Sequence, residues 1–128
     1  GNAAANLVKI LKDNLADELT TAIITKTAAQ AKEVHEDLLQ AGAASTLITL
    51  ENQRLVPGTI VIPGYLAKGL EFDAVILWQV DNRNYSGEND RELLYTVASR
   101  AMHRLTILSD QEFSRLFNQV DEHLYEKI

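Results

Sequence analysis

The chain has 128 residues, of which 46% are apolar, with no cysteine and a formal net charge of −6. That length makes one domain (1–128) able to fill a core, and the missing cysteines exclude a disulfide framework and thiolate metal sites. The acidic balance argues against strong autonomous binding to nucleic acid, and the lack of a long apolar run or signal peptide points to a cytoplasmic chain without membrane contact.

Gly1-Asn2-Ala3 reads as a cloning remnant and is set aside. Residues Ala4 to Leu19 carry Leu7, Ile10, Leu11, Leu15 and Leu19 at helical spacing, which predicts an amphipathic helix. Thr21–Thr25 is a short β-branched run and predicts a strand. Thr27 and Gln30 form a capping box, so a helix follows to about Ala41 with Ala31, Val34, Leu38 and Ala41 on one face and Gly42 as its stop. Ser45–Leu50 and Thr59–Ile62 read as strands separated by a Pro57-Gly58 turn. Asp73–Val80 is apolar on both faces, as an interior parallel strand must be, and Trp78 reads as core. A polar loop covers Asp81–Asn89, and Glu88, Asp90 and Glu92 read as a solvated acidic stretch. A helix capped by Asn89 and Glu92 runs from Asp90 to about Met102, with Tyr95 packed in its core face. Leu105–Leu108 is a fifth strand, and the Ser109/Glu112 capping box opens a last helix through about Val120. This order implies a mainly parallel sheet covered by helices.

Two segments join strands to helices, where α/β proteins hold ligands. Ala67-Lys68-Gly69-Leu70-Glu71-Phe72-Asp73 offers backbone amides around Gly69 and a lone carboxylate on Glu71. Leu93–Ala101 offers Arg100 on an otherwise apolar helix. An arginine that cannot lose its charge, near a glycine turn, suits an anionic ligand such as a nucleoside triphosphate. Gly64 to Gly69 has the glycine spacing of a phosphate-binding loop, but Leu70 and Glu71 stand where that loop needs Lys and Ser/Thr, so the chain has no complete loop of its own. His35, His103 and His123 match no metal-ligand spacing.

Ala67–Asp73 (AKGLEFD) followed by AVIL resembles motif V of the UvrD/Rep-type superfamily 1 helicases, and LLYTVASRA (Leu93–Ala101) resembles their motif VI. Ile23–Lys32 is similar to motif IV, and the three strings keep the family's order. The string VIPGYLAKGLEFDAVIL is closer to the branch containing the HelD-type proteins, related to helicase IV, some of which act on RNA polymerase. The resemblance implies a RecA-like (P-loop NTPase-type) three-layer α/β domain, the second motor domain of a larger helicase. It implies ATP and Mg2+ as cofactors, with the phosphate loop and metal ligands on a first RecA-like domain of the same parent. It gives Arg100 the role of arginine finger, Glu71 that of ribose acceptor and Gly69 that of the glycine letting backbone approach the nucleotide. Tyr95 takes the place of the motif VI tyrosine, and Ser99 replaces the common threonine. Lys26 falls where motif IV usually has a second arginine contacting ATP, and lysine keeps the charge but loses the planar fork. Pro63 and Tyr65 stand where the family has Thr and His on single-stranded DNA, and a tyrosine there can stack on a base.

Taken singly, Arg100 and Glu71 would be a surface ion-pair arginine and a solvated carboxylate. Lys26 could be an exposed turn residue, and Tyr65 could pack against the sheet. The expected function is the ATP-dependent motor half just described, inactive as an isolated fragment. Its alternatives are a nucleotide-independent module docking RNA polymerase, and an unrelated domain such as a flavodoxin-like regulator whose strand order would scatter Gly69, Glu71 and Arg100.

Overall fold

The β-branched and aliphatic runs become the strands of one sheet. The computed structural model describes residues 3–14, 20–55, 57–109 and 126–127. Its elements are α1 (Ala3–Asn14), β1 (Thr20–Thr25), α2 (Ala28–Gln40), β2 (Thr46–Leu47), β3 (Gly58–Pro63), α3 (Gly64–Ala67), β4 (Phe72–Trp78), α4 (Glu88–Ala98), β5 (Ala101–Leu108) and β6 (Glu126–Lys127). The strands lie in the order β2-β3-β1-β4-β5-β6, and every pairing is parallel. The register sets Thr21 beside Thr59 and Ala74, so the three central strands run level.

Successive residues of a strand face opposite sides, and the core divides accordingly. Ala22, Ile24, Ile60, Ile62, Val75 and Leu77 pack with Ala67, Leu94 and Val97 on the side of α3 and α4. Ile23, Val61 and Ile76 pack with Leu7, Leu11, Ala31, Val34 and Leu38 on the side of α1 and α2. The result is three layers, helix–sheet–helix, with β1, β3 and β4 buried on both faces as their continuous apolar sequence requires. Right-handed crossovers explain the division: the chain leaves β1 through α2 in one direction along the sheet and leaves β4 through α4 in the other.

The expected α/β class, the layering and the Thr27/Gln30 capping box are all present. Several local expectations change. The second strand shrinks to Thr46–Leu47, because Thr49 N–H donates to Asn52 O at 2.9 Å and Asn52 N–H returns to Thr49 O at 3.2 Å, turning the chain away. Gly64–Ala67 forms an unforeseen helical turn. Ala41 is the exposed C-cap of α2 rather than part of its buried face. Trp78 ends β4 half-buried instead of sitting mid-core. The cap of α4 is Gly87 with Asp90, not Asn89 with Glu92. β5 begins at Ala101, four residues before the expected Leu105, because it pairs with Phe72 and then absorbs an extra residue in a bulge before Arg104. Leu15 and Leu19, the helix opened by Ser109/Glu112, and His123 lie outside the described residues.

Candidate functional site

In a sheet with every strand parallel, all strand starts share one rim and all strand ends share the other. Gly69 and Glu71 directly precede β4, and Arg100 directly precedes β5, so all three stand on the amino-end rim. The Phe72 N–H donates to the Arg100 carbonyl at 2.9 Å, stitching the two approaches side by side. The flavodoxin-like expectation, with these residues scattered, therefore falls.

The Gly69 segment is a type II turn. Leu70 N–H donates to Ala67 O at 3.1 Å, Lys68 at the second position has φ −58° and ψ 132°, and Gly69 at the third has φ +81°. A type II turn needs positive φ at its third position, which glycine supplies without strain. A Cβ added at Gly69 would meet nothing within 4 Å, so the space above the turn is open to a ligand. Glu71 is exposed beside it, and among the described residues it makes no ion pair.

Arg100 lies just past the end of α4 rather than on it: Ser99 is the C-cap and Arg100 N–H donates to Val97 O at 3.1 Å. Its Nε donates to the Thr96 carbonyl at 3.0 Å, and among the described residues its guanidinium has no carboxylate partner. The side chain is half-buried, its cation near the negative end of the helix dipole. Tyr95 is 49% exposed one turn back on α4, where a core position was expected. This rim thus offers an anchored cation, an exposed carboxylate, an open glycine turn and an accessible aromatic ring.

Lys26 is not part of it. It follows the end of β1 and so stands on the carboxyl-end rim, about a strand length (~20 Å) from Arg100. There its Nζ lies 3.2 Å from the Asp90 carboxylate and 5.7 Å from the ring centre of Tyr85. Asp90 is therefore an ion-pair partner and helix cap rather than a plain solvated acid. It accepts from Ser86 N–H at 3.0 Å and Gly87 N–H at 3.4 Å. Burial pushes its carboxyl up, but the Ser86 N–H, the Lys26 ammonium and the Gly87 N–H outweigh that and hold it below the ordinary carboxylate value. Burial first, then the Asp90 and Asp81 charges, drive the Tyr85 hydroxyl well above its usual range, so it stays neutral. Gln30 Nε2 donates to Asn84 Oδ1 at 2.9 Å, and Asn84 Nδ2 donates to the buried Asp81 carboxylate at 3.0 Å. The polar loop between β4 and α4 is a hydrogen-bonded network tied to the start of α2. Pro63 ends β3 on this same rim, buried, with Tyr65 one residue into α3 and 46% exposed.

Sequence reasoning missed Asp90 as the partner of Lys26, and no local pattern gives it away, because the two are 64 residues apart. It also missed the Thr96 carbonyl; the helix-ending Ser99-Arg100 pair was the available signal. Among the described residues no group of His, Asp and Glu could hold a metal ion, and no helix is long and apolar enough to cross a membrane.

Comparisons with known proteins bear on the fold and the family. A protein-family description, UvrD-like helicase C-terminal domain, matches residues 60–108, which run from β3 to the end of β5. The C-terminal domain of a possible DNA helicase from Lactobacillus plantarum WCFS1 is 45% identical, with a TM-score of 0.86 over 98% of this chain and 77% of that one. T. fusca Cas3 in its ATP form aligns at TM-score 0.55 and 17% identity over 93% of this chain but 18% of its own, a likeness of fold alone. No curated protein matches the sequence.

Proposed function

The chain belongs to the UvrD-like helicase C-terminal domain family, and on that premise we propose that it is the second motor domain of an ATP-dependent superfamily 1 DNA helicase. In this reading the amino-end rim completes an ATP site whose phosphate loop stands on a first RecA-like domain of the parent. The observation that carries it is the convergence of Gly69, Glu71 and Arg100 on one rim, with no carboxylate partner for Arg100 among the described residues and the Phe72–Arg100 backbone bond fastening the two approaches. A hydrolase that used this rim alone would lack the amide cradle that a triphosphate needs, so the isolated chain is expected to be inert.

The chemistry follows from the residue types. Charge accumulates on the γ-phosphoryl oxygens in the transition state, and a fixed guanidinium fork stabilises it more than it stabilises the ground state. Glu71 accepts hydrogen bonds from the ribose hydroxyls, and the open Gly69 turn lets backbone approach the nucleotide. Tyr95 gives the nucleotide an accessible ring near Arg100. Magnesium would neutralise the phosphates, and in this reading its protein ligands stand on the first domain.

The carboxyl-end rim suits single-stranded DNA. Tyr65 is exposed enough to stack on a base, beside Pro63. Lys26 stands by position on this rim, where its ammonium is paired with Asp90. In this reading the lobe holds nucleotide at the amino ends of its strands and single-stranded DNA at their carboxyl ends.

Arg100→Ala in the full-length parent tests the reading. Loss of a transition-state charge should lower ATP turnover by about a thousandfold. Turnover within about threefold of wild type would refute the arginine finger and favour a nucleotide-independent docking module, such as one for RNA polymerase.

A further inference from the structure

The last turn of α4 leaves one carbonyl without its helical donor. Ser99 N–H donates to Tyr95 O and Arg100 N–H to Val97 O, both at 3.1 Å, so the ladder tightens by one residue and skips Thr96. Two side chains take up the orphaned oxygen. Ser99 Oγ donates to it at 2.8 Å and Arg100 Nε at 3.0 Å. A carbonyl oxygen has two lone pairs, and both are now used.

That sharing has a consequence for the guanidinium. Its plane is fixed once Nε is anchored, and the terminal nitrogens keep their donors for another ligand. With the serine hydroxyl on one lone pair, only one remains for the arginine. Without that hydroxyl a terminal nitrogen could take the vacant lone pair, and the fork would populate more than one aim.

We propose that Ser99 is a positioning residue for Arg100: its hydroxyl occupies one side of the Thr96 carbonyl and so restricts the arginine to a single orientation towards the γ-phosphate. This rests on the arginine-finger reading above. Ser99 itself is exposed and touches no reacting atom in this account. Its effect belongs to the chemical step, because misdirecting a charge that matters most in the transition state lowers kcat more than it weakens ATP binding.

The test uses the full-length parent, with ATP and single-stranded DNA. Ser99→Ala should lower kcat about five- to tenfold, the scale of one misplaced hydrogen-bonding group, while the KM for ATP stays within about twofold. Ser99→Thr, which keeps the hydroxyl, should recover most of the lost turnover. Single-turnover measurements then compare Ser99→Ala in wild type and in Arg100→Lys; a residue that acts through the arginine should add nothing in the second background. Three results would overturn the proposal: Ser99→Ala with unchanged kcat, a loss matched by a rise in KM, or the same fold loss in the Arg100→Lys background. An effect-free Ser99→Ala beside an inactive Arg100→Ala removes the positioning role and leaves the finger standing. A fully active Arg100→Ala removes both.

Discussion

Replacing Gly69 with alanine separates what the turn needs from what the ligand needs. Gly69 sits at φ +81°, and a Cβ there meets nothing within 4 Å, so the penalty is backbone strain without a clash. An L-residue in the left-handed region costs about 1–2 kcal/mol, and the reduced freedom of the unfolded chain returns about 0.4–1 kcal/mol. The net loss is about 1 kcal/mol, which for a chain of this size lowers Tm by roughly 3–6 °C. Asparagine tolerates positive φ, so Gly69→Asn should lose only about 1–2 °C. Circular-dichroism melts of the two variants beside wild type, at one scan rate, measure this. Equal Tm values for Gly69→Ala and wild type, or an asparagine variant less stable than the alanine one, would refute the type II turn as the reason for the glycine. The stable asparagine variant then serves the functional question: in the full-length parent its side chain occupies the space above the turn and should raise the KM for ATP several-fold.

Glu71→Ala in the parent should raise the KM for ATP by about tenfold to a hundredfold, the value of a charge-assisted hydrogen bond, and narrow the preference for ATP over dATP in steady-state assays. Tyr65→Ala should weaken single-stranded DNA binding by about fivefold to a hundredfold, read by fluorescence anisotropy at fixed salt, because one base would lose its stacking platform. Asp90→Asn keeps acceptors for the Ser86 and Gly87 N–H groups but loses the charge facing Lys26, and should cost about 1 kcal/mol at pH 7. Because the Asp90 carboxyl is held below its ordinary value in the folded chain, that stability is present above about pH 4 and is lost as pH falls towards the folded value. Melts of wild type and Asp90→Asn should therefore converge under acid conditions.

The periodic segments are legible in the sequence. Ile23, Ile60–Ile62 and Val75–Leu77 announce buried strands because short β-branched apolar runs bounded by turns suit a two-sided sheet, and Thr27/Gln30 marks a helix start through chemistry contained in four residues. The motif strings went further and named Gly69, Glu71 and Arg100, which the sheet then gathers on one rim. What failed was decided at long range. α3 has no period of its own; a Cβ on Gly64 would come within 3.0 Å of Leu93 Cδ1, so close seating against α4 goes with its place. Tyr95 reads as core on helical spacing, yet the helix turns it outward. Lys26 reads as a partner of Arg100 when motifs are compared as strings, but it follows a strand end while Arg100 precedes a strand start, and only the pairing order reveals that they stand on opposite rims.

The sheet's flanks have a bearing on how this lobe behaves in company. Among the described residues its outermost strands, β2 and β6, are two residues long, and β6 is a Glu-Lys pair. A visiting chain would find two rungs to grip on either side, with charge on one of them, where stable strand addition calls for a longer row. The described edges thus give a neighbouring chain little to zip onto laterally.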